Sequence, residues 1–381
     1  MGYFKLFCSR FVPALVLFVA VFVGWLSQHE LPEGVLFACL FPVMKGKLPP
    51  PIFGHGHMDG TPEVPDDMAP APRPEHELFL QLPGGYAMPQ NGLGMCCRPT
   101  AYDDVLVRRT VLWYLLLGGR HIDGAHLYLN HKAIGLGIKD AMARGVPREE
   151  IFVTTKVFPR HFGYNTTSKA IPTYLEELGL EYIDLVLLHF PIDFPTQFTS
   201  ECKTKGLSNA QCRVETWTAL SEARNKGLIR NAGVSNFAIS QLEQIGNLPE
   251  GAAPIAVHQF AYNPWAPDHT LAVLMYCHAN NIAVTAYTSL AGMMQHSQAS
   301  TTETLNALAA KYGKSITQIM LRWGIQHKAA VIPGTGNPKH MKENLAVYEF
   351  ELSMEDMESI DALRSDESAK KFFYMTPSED K

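Results

Sequence analysis

From about residue 78 onward, apolar and polar positions alternate between two patterns. Short apolar runs such as IFVTT at 151–155 and IDLVLL at 183–188 have the length and β-branched content of buried strands. Between such runs, apolar residues return every third or fourth position. Ile171, Tyr174, Leu175 and Leu178 do so, as do Leu305, Leu308, Ala309 and Tyr312, and then Ile316, Ile319, Met320 and Trp323. That spacing places them on one face of a helix. Strands are predicted at 120–123, 151–156, 183–189, 229–234, 255–260, 282–287, 329–333 and 348–352. Thr100-x-x-Asp103 and Ser315-x-x-Gln318 read as helix caps. Phe79–Leu82 and Tyr86–Pro89 flank a Pro-Gly-Gly turn and predict a hairpin. Eight strands separated by helices predict an α/β fold, a (β/α)8 TIM barrel over residues 77–365. A doubly wound sheet is the runner-up, but it would show GxGxxG after its first strand, and that motif is absent.

The chain before the barrel has a different composition. Residues 11–26, FVPALVLFVAVFVGWL, are continuously apolar and follow Lys5 and Arg10. This pattern predicts a signal anchor over residues 1–30 that holds the protein to a membrane, with a cleaved signal and secretion as the alternative. Basic residues before the span, and Glu30 and Glu33 after it, predict a cytosolic N-terminus and a lumenal barrel. Residues 31–76 are rich in Pro and Gly and predict a linker; His55 and His57 lie within it. Residues 366–381 form a polar tail.

Composition removes several function classes. The formal charge is −5, with no polybasic run, so nucleic acid is not an expected partner. The seven cysteines include no CxxC pair. Cys96 and Cys97 read as ordinary thiols, whereas Cys202 and Cys212 could bridge in an oxidising lumen. Asn165-Thr166-Thr167 is a glycosylation sequon usable only there. A metal hydrolase using His121, His126 and His131 is a remote reading, because their spacing fits neither a strand face nor a helix face; no metal is expected.

Three predicted strands end on polar groups, Asp123, Lys156 and His189, and Tyr128 follows the first of them. Strand ends on one face of a barrel converge, so these residues should meet at one point. A free phenol, with a pKa near 10, is a poor acid. An adjacent ammonium stabilises phenolate, and a neighbouring carboxylate keeps that ammonium charged. A histidine on the same oxygen would orient it and stabilise developing negative charge. The combination suits proton delivery to a carbonyl that accepts hydride.

Five segments in order, HIDGAHLYLN, TTKVFP, DLVLLHFP, GLIRNAGVSNF and IPGTGNPKHMKENL, closely resemble the aldo-keto reductase family over residues 78–365. The resemblance implies an NADP(H)-dependent reductase of aldehydes or ketones, with Asp123, Tyr128, Lys156 and His189 as its catalytic tetrad. It also implies that Ser235, Asn236 and Gln259 hold the nicotinamide carboxamide and that Tyr287 stacks on the ring. Ser289 and Leu290 would begin the loop around the pyrophosphate. Thr335, His340, Glu343 and Asn344 would meet the adenosine end. Here the chain departs from the pattern: Pro333-Gly334-Thr335 stands where Pro-Lys-Ser is common, and His340 where an arginine faces the 2′-phosphate. Two fixed cations are thus missing, which leaves NAD(H) as an alternative cofactor. Phe190, Phe194 and Phe198, in the long loop 190–213, predict an apolar substrate entrance. The competing function is a catalytically weak nucleotide-sensing or membrane-complex subunit built on the same barrel.

Overall fold

The computed structural model describes residues 61–98, 101–191, 200–290 and 299–364. The predicted anchor, the first part of the linker, the polar tail, and Phe194 and Phe198 lie outside the described residues. Among the described residues, no helix is long and apolar enough to cross a membrane.

A hairpin, β1 (Phe79–Gln81) with β2 (Ala87–Pro89), precedes eight parallel strands. These are β3 (Leu93–Gly94), β4 (His121–Asp123), β5 (Phe152–Val157), β6 (Ile183–Leu188), β7 (Ile229–Ser235), β8 (Ile255–Ala261), β9 (Ala283–Tyr287) and β10 (Ala329–Val331). Each pairs with the next in sequence order. The curled sheet is consistent with a (β/α)8 barrel, and its two edges are joined by backbone hydrogen bonds. Val331 N donates to Gln90 O at 2.7 Å, Gly92 N to Val331 O at 2.8 Å and Gly94 N to Pro333 O at 3.2 Å.

Strand pleating sorts the side chains into two cores. Val153, Val157, Val186, Leu188 and Val234 face outward, into the layer shared with the helices. Phe152, Leu185, Leu187, Val257 and Ala330 form a second cluster with Leu82 and Met88 of the hairpin region. This second cluster lies inside the sheet. By alternation, Asp123, Lys156, His189, Ser235 and Gln259 share the inner face, at the carboxyl ends of their strands.

The helices follow the predicted periodicity. In α1 (Asp104–Leu116), the cap is Asp103, whose carboxylate accepts from Leu106 N at 3.0 Å; Thr100 lies outside the described residues. In α3 (Tyr164–Leu178), which follows α2 (His131–Ala143), Ile171, Tyr174, Leu175 and Leu178 are buried. The cap predicted at Ser315 forms, with Gln318 completing a capping box.

Two strand expectations are corrected. The barrel begins with an unexpected strand, Leu93–Gly94, and residues 348–352 form none. Tyr348, Phe350 and Leu352 do alternate with exposed glutamates, as a strand would. Their backbone, however, turns to a side chain: Leu352 N donates to Gln326 Oε1 at 2.8 Å, and Gln326 Nε2 donates to Leu352 O at 2.9 Å. Leu93–Gly94 is too short and too glycine-rich to show a period. It is held close to the chain after β10, where a Cβ on Gly94 would sit 2.6 Å from Ile332 O.

The described residues from 61 onward that were expected as linker are tied to the helices of the barrel. Arg109 donates to Thr61 O at 2.9 Å, Trp113 Nε1 to Pro62 O at 2.8 Å and Arg144 to Pro65 O at 2.7 Å. Cys202 and Cys212 are joined in a disulfide; the segment expected as one long loop is helical at both, Cys202 lying in Glu201–Thr204 and Cys212 in Asn209–Asn225. Cys96 and Cys97, expected as ordinary thiols, are also paired.

Candidate active site

The inner-face residues converge at the carboxyl end of the barrel. Lys156, from β5, is completely buried, a position an ammonium holds only with partners. Its Nζ donates to Asp123 Oδ1 at 2.6 Å, to Gly124 O at 2.8 Å and to Tyr128 Oη at 3.4 Å. Burial works against the lysine charge, but Asp123 and then Tyr128 outweigh it, so the lysine pKa is raised. Tyr128 ends a short 3-10 turn, His126–Tyr128, just beyond β4. Burial raises its phenol pKa and Lys156 pulls it back. The net upward direction keeps the hydroxyl protonated at neutral pH, as a proton donor requires.

His189, just past β6, lies edge-on to Tyr128 with ring centroids 5.8 Å apart. It stacks on Phe190 at 4.5 Å. Burial and the nearby Lys156 charge depress its pKa well below the usual histidine value, so the ring is neutral. Its Nδ1 is buried with no protein partner.

The proposed nicotinamide residues extend the same network. Gln259 Nε2 donates to the other carboxylate oxygen of Asp123 at 2.7 Å. Asn236 Nδ2 donates to His189 O at 3.1 Å and to Ser235 Oγ at 3.0 Å. Tyr287 Oη donates to Asn236 Oδ1 at 2.7 Å. Asn236 takes a positive φ of 64°, which asparagine tolerates better than most residues. Ser289 is buried, donating to Ala286 O at 2.9 Å, and Leu290 packs on the core.

Among the residues expected at the adenosine end, Thr335 Oγ1 accepts from Asn337 N at 3.1 Å, and Asn337 caps α10 (Pro338–Leu345). That helix carries an exposed His340, a half-buried Glu343 and a buried Asn344. Asn344 Oδ1 is a buried acceptor without a partner, which fits an amino donor such as that of adenine. The hydroxyl and amide set formed by Ser235, Asn236 and Gln259 fits a carboxamide. The residues present therefore suit a nicotinamide adenine dinucleotide.

Of the three histidines of the remote metal reading, His126 and His131 lie edge-on with ring centroids 5.7 Å apart, whereas His121 is held separately. His121 contacts Pro89 O and Thr154 Oγ1, at 3.0 and 3.2 Å, while His131 contacts Glu177 and Thr155, at 2.9 and 2.7 Å. Among the described residues, no group of three potential ligands gathers around a metal position. The Gly124 carbonyl, a backbone group, carries no side-chain signal in the sequence. Arg98 likewise lies outside every motif read from the sequence.

Comparison with known proteins decides the family. The profile of the Aldo/keto reductase family matches residues 90–365. This chain belongs to that family. An aldo-keto reductase is an NADP(H)-dependent oxidoreductase acting on carbonyl compounds. Among similar proteins, 9,11-endoperoxide prostaglandin H2 reductase of Trypanosoma cruzi (strain CL Brener) is 35% identical, covering 75% of this chain and 92% of the relative. Glyoxal reductase of Bacillus subtilis (strain 168) is 34% identical, covering 76% of this chain and 93% of the relative. The crystal structure of Bombyx mori aldo-keto reductase in complex with NADP superposes with a TM-score of 0.67. It is 31% identical and covers 80% of this chain and 99% of that one. The aldo-keto reductase barrel of the present chain is thus matched nearly end to end.

Proposed function

We propose that this aldo-keto reductase reduces aldehydes or ketones with Tyr128 as the general acid. The observation that carries the reading is the position of Lys156 Nζ, 2.6 Å from Asp123 and 3.4 Å from the Tyr128 hydroxyl. NADPH, when bound, supplies hydride to the carbonyl carbon. Tyr128 gives its proton to the carbonyl oxygen, so the oxygen leaves as a neutral hydroxyl and the phenol becomes phenolate. The ammonium of Lys156 balances that charge until a solvent proton restores the phenol. Asp123 keeps Lys156 charged. His189 acts as a neutral donor that orients the carbonyl oxygen.

The two relatives carry different substrate names, an endoperoxide prostaglandin and glyoxal, so neither substrate is assigned to this chain. NADPH and NADH oxidation should be followed with a panel of aldehydes and ketones. Carbonyl-dependent turnover supports the reading. Cofactor binding without turnover on any member favours the nucleotide-sensing alternative.

We also propose that residues 11–26 anchor the chain and that the barrel is lumenal. Support comes from the flanking charges of that segment and from the Cys202–Cys212 bridge, a bond favoured by oxidising compartments. The exposed Asn165 of the sequon adds to it. Full-length protein made in a eukaryotic cell should carry glycan at Asn165 and resist protease added outside sealed microsomes. An unglycosylated, protease-accessible barrel would reverse the orientation.

A further inference from the structure

The chain lacks the side-chain cation that the family commonly places after the proline of its phosphate segment: Gly334 stands there. The structure fills that place from elsewhere. A Cβ built on Gly334 would lie 2.7 Å from Arg98 Nη1, so the Arg98 guanidinium occupies the space into which a longer residue 334 would extend. Arg98 follows the Cys96–Cys97 pair, beyond β3. Its Nη1 donates to Gly94 O, and its Nη2 lies 3.5 Å from Met95 Sδ. The guanidinium therefore spans the seam between the first barrel strand and the segment after the last. Burial lowers its pKa to about 10, with the nearby Tyr102 phenol opposing; it remains a cation at neutral pH.

Its position indicates which phosphate it would serve. Gly94, which accepts from Arg98, is paired in register with Asp123 of the catalytic centre. The resemblance, by contrast, implies the 2′-phosphate at His340, which is exposed on α10. Gly334 is exposed and has no side chain, so a phosphate can approach the seam closely.

We propose that Arg98 is the phosphate-binding cation of this enzyme, replacing the missing lysine, and that it holds the pyrophosphate shared by NADPH and NADH. Guanidinium suits this role because it pairs with phosphate through several donors at once. The substitution at 334 and the arginine at 98 are then one change: a side chain at 334 and this placement of Arg98 exclude each other.

The test is the dissociation constant of each cofactor for the full-length protein, measured by fluorescence quenching or calorimetry without substrate. Arg98→Met should weaken NADPH and NADH by similar factors of about tenfold or more, as expected for a charge-assisted contact. Arg98→Lys should retain much of the affinity. Gly334→Lys added to Arg98→Met should restore binding, because the incoming ammonium takes the vacated space. The melting temperature of each variant separates misfolding from lost contact. If a folded Arg98→Met binds both cofactors like wild type, the proposal is wrong. If only NADPH is weakened, Arg98 serves the 2′-phosphate and the pyrophosphate assignment is overturned. Wild-type protein that binds neither cofactor would instead contradict the reductase reading itself.

Discussion

Replacing Lys156 with methionine tests the buried charge pair at the centre of the site. Methionine approximates the lysine stem, so packing is nearly conserved and the main loss is the charge. Asp123 is only 2% exposed. Without Lys156, its carboxylate keeps the Gln259 Nε2 donor at 2.7 Å but, among the described residues, no neighbouring cation to balance its charge. Breaking a buried pair from one side costs about 3–5 kcal/mol, because the remaining charge is uncompensated. At about 2–4 °C per kcal/mol for a large domain, the melting temperature should fall by on the order of 10 °C. The assay is urea and thermal unfolding without cofactor, since bound NADPH would add its own stabilisation. Neutralising both partners, Lys156→Met with Asp123→Asn, removes the orphaned charge and should recover more than half of the lost stability. Turnover should stay low in both variants, because neither stabilises phenolate at Tyr128. A single Lys156→Met variant as stable as wild type, within about 1 kcal/mol, would refute the reasoning.

Two further outcomes follow from the same geometry. His340→Arg places a forked cation on the exposed face of α10 and should tighten NADPH by about 1–3 kcal/mol more than NADH; equal effects on both would mean that residue 340 does not face the 2′-phosphate. Burial, with neighbouring positive groups, holds His126 and His161 down to about pKa 4, whereas unfolded histidine titrates near 6.5. The unfolded chain therefore binds more protons between those values, and stability should be complete above about pH 6.5 and fall as pH drops towards 4. Melting curves across that range check the sign, and a melting temperature that rises on acidification contradicts it. Replacing both histidines with glutamine should flatten the slope.

Much of this site was legible because barrel geometry converts a one-dimensional pattern into a place. Asp123, Lys156 and His189 each end an apolar run, and pleating alone puts them on one face. Tyr128 could be located from its loop position, although the 3-10 turn that aims it has no periodicity to read. The first barrel strand was hidden for the opposite reason, since two residues among glycines carry no alternation. Residues 348–352 misled because alternation records burial on one side, and Gln326 offers the same hydrogen bonds that a neighbouring strand would. The missing lysine at 334 was visible in the sequence, but its replacement was not. Arg98 is 236 residues away, and only closure of the sheet brings the two together. The pairing of Cys96 with Cys97 was likewise unreadable, because adjacency does not reveal whether the local turn brings two sulfurs into contact.

The central claim is that Tyr128 delivers the proton, and single-turnover reduction of an aldehyde by Tyr128→Phe tests it most directly. Phenylalanine removes the hydroxyl and leaves the ring in place. General acid catalysis contributes typically about 10²–10⁴-fold, so the chemical step should slow by at least that range. The NADPH dissociation constant, measured on the same protein, should change little. A Tyr128→Phe variant that reduces aldehyde at the wild-type rate would contradict the account, because another group would then be supplying the proton.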